Sequence, residues 1–533
     1  MNSGLRAIRL FSRFFPIGPP AGLVSFFAPR IEGADLLASP SDYAKLSLFV
    51  ISAASAAGIA SLVFVRSVLS APVLLSLLAL ALLPLLLVAL RAQTRRRSVD
   101  GELPFFAMLL FILSQESTVS LASAFEKAEQ LGARIFPAIS RESGRLRRNI
   151  AYSNESEQST VENAFRLHPS RSMRELVHGY QSALSSGRDV HEFAREEADR
   201  LLAVQEERWR GFSTAISSLT EVSFIFLAIF PVGIQMIAGG FAGGSSSNLL
   251  ALSTLLLALL ALGLLVWMDS AQPVSRDASL PPKYLAGLVS ACCGTMALYY
   301  LGVLGISEAA GALLAFSCAY VVKSAGFFRT LKTGEEESAS VLHDLAELTR
   351  SGVELPRALP SLLEDRDSVR SLRGPLATFA IQLSLGRTPV EAQRAIEHPS
   401  WLVRVSFSLL AVAFETGGGF EQLERLSSSF RRISDSRASA KASVLPYAAL
   451  GVAVPTLSAA SFWFLRNMQA LSPGFQLFTV RAAGTGAGGS ILACTVLTGL
   501  LVSKAYSQSV RNAAGLPPLL ASALVSLLLF GGP

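Results

Sequence analysis

Two short segments hold the residue types best suited to acid–base or metal chemistry: His168-Pro169-Ser170 with Arg174, and His398-Pro399-Ser400 with Arg404. A histidine near a serine could act as base and nucleophile, and paired histidines could hold a metal, but neither arrangement is complete. The five histidines (His168, His178, His191, His343, His398) show no HExxH or other metal spacing, and no serine or cysteine nucleophile motif accompanies them. There is no GxxxxGK[ST] loop to cradle a nucleotide. Gly484, Gly486, Gly488 and Gly489 lead into an apolar run without the lysine, which suits close helix packing instead. Cys292, Cys293, Cys318 and Cys494 all lie in apolar stretches with no CxxC pair. The expectation is a protein that is not an enzyme, with no catalytic residue, cofactor or metal.

The recurrence itself says more. The two motifs stand 230 residues apart, and at that offset Gly187 falls on Gly417, Val190 on Phe420 and Phe193 on Leu423. One folding unit used twice accounts for this. Each proline restrains the preceding histidine from helical geometry, and Ser170 or Ser400 can cap the helix that follows. Gly187 and Gly417 fall where that helix should end, a place suited to a left-handed residue. Apolar stripes at helical spacing (Met173, Leu176, Val177, Tyr180, Leu184; Leu376, Phe379, Ala380, Leu383; Phe420, Leu423, Leu426, Phe430, Ile433) predict helices throughout, with no strand alternation.

Around these segments the composition is that of a membrane protein. Of 533 residues 51% are hydrophobic and only 16% charged, with a mean hydropathy of +0.46. Apolar runs long enough to cross a bilayer occur near 46–65, 68–90, 217–238, 249–268, 284–304, 309–328, 444–465 and 483–503, and the shorter run 517–530 makes about nine. The net charge of +7 does not imply nucleic acid: residues 98–215 hold 14 basic and 17 acidic residues, and 329–443 hold 15 of each. The excess sits beside the apolar runs. With residues 1–45 inside, the outer loops carry only Arg66, Arg466 and Arg481 of 46 basic residues. This predicts a multi-pass cell-membrane protein with its N-terminus and both polar domains cytoplasmic.

The resulting plan is a cytoplasmic basic amphipathic segment (1–45), spans 1–2 (46–97), helical domain 1 (98–216), spans 3–4 (217–268), a cytoplasmic loop (269–283), spans 5–6 (284–328), helical domain 2 (329–443) and spans 7–9 (444–530). Both copies enter the membrane in the same sense, a parallel repeat with a pseudo-twofold axis. The last helix of each domain is expected to run on into the membrane. Pro231 and Pro455, at matched positions, would bend those spans. Glu221 and Lys323, near inner span ends, could form an intramembrane pair.

Ser117-Thr118-Val119-x-Leu121-x-x-Ala124-Phe125 aligns at offset 234 with Ser351-Gly352-Val353-x-Leu355-x-x-Ala358-Leu359. That motif is followed in each copy by a helix, a glycine turn (Ser186-Gly187 to Val190; Glu415-Thr416-Gly417-Gly418-Gly419-Phe420) and a long membrane-directed helix. This order resembles the type II secretion system F domain, and two such domains among about nine spans resemble the archaeal platform proteins of type IV pili and the archaellum. Domain 1 departs from the pattern, with Thr118 in place of glycine and a turn reduced to Gly187. The resemblance implies an all-α polytopic protein with two tandem cytoplasmic F-type helical bundles, and no activity of its own. Its partners would be a cytoplasmic hexameric ATPase, pilin subunits and the lipid bilayer, with a homodimer allowed and no nucleic acid. Arg95, Arg96, Arg97, Arg145, Arg147, Arg148, Arg431, Arg432 and Arg437 are candidate ATPase-docking charges. A secondary transporter, or a membrane receptor or scaffold unrelated to filaments, are the competing readings.

Overall fold

A computed structural model describes residues 18–34, 39–64, 70–115, 120–230, 232–233, 246–278, 281–364, 370–442, 445–471, 480–507, 509 and 512–530. Among them every regular element is a helix. The chain divides into two compact units, Met1–Leu201 and Leu202–Pro533. That division falls inside one long helix.

The first unit begins with α1 (Ala21–Ala34), α2 (Pro40–Phe64) and α3 (Ser70–Leu113). Phe27, Ile31 and Ala34 of α1 pack on Tyr43, Ala44 and Val88, and the Tyr43 hydroxyl donates to the Pro84 carbonyl at 2.8 Å. No break separates the apolar run ending near 90 from the polar segment that starts at 98. Arg91 and Arg95–Arg97 are good helix formers, so α3 passes through them uninterrupted. From Val99 onward it is enclosed, with Val99, Leu103 and Phe105 to Leu113 all buried. The enclosing helices are α4 (Leu121–Leu131), α5 (Pro137–Tyr152), α6 (Glu157–Phe165) and α7 (Arg171–Ser186). An aromatic column, Phe106 to Phe125 at 4.6 Å, Phe125 to Phe165 at 5.2 Å and Phe165 to His168 at 5.7 Å, leads from α3 to the first His-Pro-Ser turn.

Helix α8 (Val190–Phe224) crosses the unit boundary and passes into a five-residue π-helix, Ile225–Ile229. Within the second unit its Trp209, Phe212 and Ile216 join Leu257, Met268, Ala440, Cys494 and Leu501 in one apolar cluster, which is why the division falls where it does. Pro231 lies outside the described residues, so the bend expected there is not described.

The second unit continues with α9 (Ser246–Ala271), α10 (Pro282–Tyr300) and α11 (Ile306–Arg350). Next come α12 (Leu355–Glu364), α13 (Arg373–Ser384), α14 (Pro389–Arg394), α15 (Trp401–Glu415) and α16 (Phe420–Ala442), then α17 (Leu445–Leu471), α18 (Val480–Ser507) and α19 (Leu516–Phe530). Like α3, α11 runs without a break from an apolar half into a domain-forming half. Val341, Leu342, Leu345 and Ala346 are buried on it, and Leu423, Leu426, Phe430 and Ile433 are buried on α16, which packs along it. Pro455 is buried within α17, and helix is described on both sides of it. Ser443 and Val444, where α16 was expected to run into the membrane, lie outside the described residues.

Among the described residues three helical segments are long and apolar enough to cross a membrane: Ser253–Ala271, the apolar part of Ile306–Arg350, and Gly489–Tyr506. Ala286–Tyr299, Gly451–Ser461 and Leu516–Leu529 are apolar but shorter. On α9 the side chains of Leu255, Leu256, Leu259, Leu262 and Val266 are exposed, an outward apolar face that water would penalise and hydrocarbon would not.

Candidate functional site

The two His-Pro-Ser turns are built alike. In each, the histidine Nδ1 accepts the serine backbone N–H at 3.1 Å, fixing the ring against the turn. The serine hydroxyl oxygen accepts the backbone N–H three residues on, from Met173 at 3.1 Å and from Val403 at 3.5 Å, and so caps α7 or α15. The same hydroxyl donates to a buried carboxylate on the long helix that opens the domain, Ser170 to Asp100 and Ser400 to Glu335 at 3.1 Å.

Two residues beyond each of those acids stands a second one. Glu102 is fully buried and accepts the N–H groups of Ala138 at 2.9 Å and Ile139 at 2.8 Å, at the start of α5. Glu337 accepts the N–H groups of Ser371 at 2.8 Å and Leu372 at 3.0 Å, just ahead of α13. Pro137 and the turn at 371–372 leave these donors without intrahelical partners, so an acid from another helix supplies them. None of these four carboxylates stood out in the sequence.

The far ends of the capped helices also match. Gly187 and Gly417 both take left-handed backbone, φ 72° and 66°. The next residue closes the turn with a bond to an equivalent carbonyl, Arg188 N–H to Ala183 at 2.9 Å and Gly418 N–H to Ala413 at 2.6 Å. Gly418 also lies so close to Ala413 that a Cβ would meet its carbonyl at 2.9 Å, whereas Gly419 has open space. Val190 and Phe420 are the first residues of α8 and α16, as the repeat requires. Thr118 lies outside the described residues; Gly352 at the matched place is left-handed, φ 89°.

The electrostatic surroundings of the two turns differ. His168 faces Glu142 of α5, Nε2 to Oε1 3.7 Å. Glu142 is held by Arg95 through two bonds of 2.9 and 2.8 Å and by Arg145 at 3.0 Å. Burial pushes the Glu142 carboxyl up, but His168 and Arg95 outweigh it and hold it below the usual carboxylate range. Burial, with Arg148 nearby, brings Arg145 down to about 10. At the second turn Glu335 is bound by Arg437 at 2.7 Å, with Asp277 3.8 Å from the same guanidinium and the Trp209 ring 5.5 Å from it. Burial works against the Arg437 charge, yet Glu335 and Asp277 more than compensate and hold its proton above the usual arginine range. His398 lies against Gly334, where a Cβ would meet the ring Cε1 at 2.5 Å; burial, aided by Arg404, pushes this histidine down.

The nine candidate docking arginines therefore divide. Arg437 is 4% exposed and enclosed by its acids, which removes it from any docking surface. Arg95 and Arg145 are half-buried clamps on Glu142. Arg97 is half-buried, while Arg96, Arg147, Arg148, Arg431 and Arg432 are exposed, Arg96 lying 3.7 Å from Asp100 and Arg147 3.1 Å from Glu129. Arg174 is half-buried on α7, and Arg404 donates to the Arg276 carbonyl at 2.9 Å. Pro169 and Pro399 are half-buried, each between its buried histidine and serine. Glu221 on α8 and Lys323 on α11 are both exposed. Among the described residues no group of three or more His, Cys, Asp or Glu is arranged to hold a metal ion.

Chemically, both turns are anchors: each fixes a helix start to a long helix that begins as an apolar segment. Compared with known proteins, the chain matches no protein-family model, no curated protein and no solved structure.

Proposed function

We propose that the chain is the membrane platform of an archaeal type IV pilus-like filament machine, coupling a separate cytoplasmic assembly ATPase to pilin extraction and filament growth. The observation that carries this reading is the paired design of α3 and α11. Each leaves an apolar stretch as one unbroken helix and then presents two acids that fix a serine-capped turn and a second helix start. Such a part passes displacement from a cytoplasmic bundle to a membrane segment, because no joint between them absorbs it. In this reading the two bundles are tandem F-type domains on the cytoplasmic side, about nine helices span the bilayer, and the exposed apolar faces meet lipid and the hydrophobic helices of pilins.

Arg96, Arg97, Arg147, Arg148, Arg431 and Arg432 are then the charges available to the ATPase. Deleting the gene should abolish surface filaments seen by electron microscopy, and tagged protein should copurify with an assembly ATPase and a pilin. Intact filaments in the deletion strain would refute the proposal. Charge reversal at Arg147/Arg148 or Arg431/Arg432 should weaken ATPase copurification; unchanged recovery would remove those residues from the docking surface.

A further inference from the structure

The connection between α9 and α10 is bonded residue by residue to the second His-Pro-Ser turn. Asp277 Oδ1 accepts the backbone N–H of Trp401, the first residue of α15, at 2.8 Å and so caps that helix from outside. Ala278 donates its N–H to the Pro399 carbonyl at 2.7 Å. Arg404, one turn into α15, donates to the Arg276 carbonyl at 2.9 Å. Asp277 Oδ2 also lies 3.8 Å from the Arg437 guanidinium, which ties α16 to the same point. Three consecutive residues thus each hold the turn or the helix it starts, through bonds that require one register. A connection serving only to join two helices needs none of them.

The first unit has a counterpart of opposite polarity. There the segment ahead of α2 and α3 is α1, whose closing carbonyls Glu32 and Gly33 each accept from Arg95 at 3.0 Å. That guanidinium is the one that grips Glu142, and a Cβ on Gly33 would lie 3.9 Å from the carbonyl of Leu167, the residue before His168. In one case a cation of the domain satisfies the end of the incoming helix. In the other an anion of the incoming segment satisfies the start of a domain helix.

We propose that the segment 276–278, between α9 and α10, is a mechanical clasp that makes α9 move with α15 and α16, a lateral route for force that does not pass along the long domain-opening helices. What the force accomplishes rests on the platform reading; whether the clasp exists does not.

Limited trypsin digestion of the purified full-length protein in detergent micelles reads the clasp at one bond. The carbonyl after Arg276 is the one Arg404 holds, so cleavage there requires the clasp to open. Arg404→Ala, which leaves the residues on both sides of the cut bond unchanged, should raise the cleavage rate after Arg276 roughly tenfold, the change in open population that follows losing a charged hydrogen bond. Asp277→Ala should act in the same direction by more than the acceleration that alanine after the cut arginine gives in an unfolded peptide of the same sequence, which covers the case of Arg404→Ala failing to fold. Cleavage after the exposed Arg188 should stay constant in a folded variant. Wild-type protein cut after Arg276 as fast as both variants would overturn the clasp. In cells, Asp277→Ala should reduce filament number while the ATPase still copurifies. Normal filaments with a demonstrably open clasp would overturn its role in force transfer. Normal filaments in the deletion strain would instead refute the platform reading and leave the protease result standing.

Discussion

The first His-Pro-Ser turn is ringed by guanidinium–carboxylate pairs that reach toward solvent, whereas the second is closed over an ion pair shut away from it. Around Asp100 and Glu142 the arginines retain exposure, 56% for the Arg96 side chain and 16% for Arg95. Around Glu335 the Arg437 side chain retains 5% and is further covered by Trp209. Identical backbone geometry has thus been set in two dielectrics. The shared hydrogen bonds define the fold of the turn, and the surrounding charges decide how costly it is to disturb.

The largest contrast should come from the arginines. Arg437→Met leaves Glu335 buried without its cation and should lower stability by about 3–5 kcal/mol, while Arg96→Met at an exposed pair should cost less than about 1 kcal/mol. Thermal unfolding midpoints in detergent would measure both, and equal losses would erase the distinction.

Next are the close approaches present only in the second copy. Gly334→Ala drives a Cβ into the His398 ring and should cost about 1–3 kcal/mol. Val99 stands two residues after Arg97 and immediately before Asp100, as Gly334 stands immediately before Glu335, so Val99→Ala should show only a modest cavity loss.

At the left-handed positions the copies should instead agree. Gly187→Ala and Gly417→Ala should each cost about 1–2 kcal/mol. A clear inequality between them would mean the two turns are less alike than their hydrogen bonds indicate.

The smallest effect is a difference in pH dependence. His398 is pushed down in the folded state, so its contribution is fully present above the unfolded value of about 6.5 and is lost as pH falls through its lower folded value. Glu142 is also held down, so its contribution is present above about 4.3 and lost only as pH falls through a still lower folded value. Between these windows the His398 contribution should fall while that of Glu142 stays in place. His398→Gln should therefore flatten the decline in unfolding midpoint below about pH 6.5, and Arg95→Gln should not.

The parts legible in the sequence were those whose consequences are local. Proline acts on the residue before it, serine on the helix start beside it and glycine on its own φ, so both turns and both helix ends could be read from a few residues. The carboxylate anchors could not, because Glu102 reaches donors 36 residues away and Ser400 reaches Glu335 across 65. Acids on a polar helix read equally well as a solvated face. A signal was nevertheless present: Asp100-x-Glu102 and Glu335-x-Glu337 repeat at nearly the motif offset. Arg437 was misassigned for a related reason. Grouped with Arg431 and Arg432 it looks like surface charge, yet it lies four residues past Ile433 and seven past Phe430, on the stripe that is buried. That α3 and α11 each run unbroken from apolar into charged residues was not read, because a change from apolar to charged residues marks a change of solvent and need not end a helix.

The proposal that both bundles lie on one side of the membrane is most directly tested by side-specific labelling. Tyr152 and Leu385 are 87% and 68% exposed, one in each helical domain, and each can be replaced singly by cysteine in a protein whose four native cysteines are changed to serine. A membrane-impermeant maleimide should leave both variants unlabelled in intact cells and label both in inverted vesicles. Labelling of one site in cells and the other only in inverted vesicles would contradict a platform built from two like-facing modules.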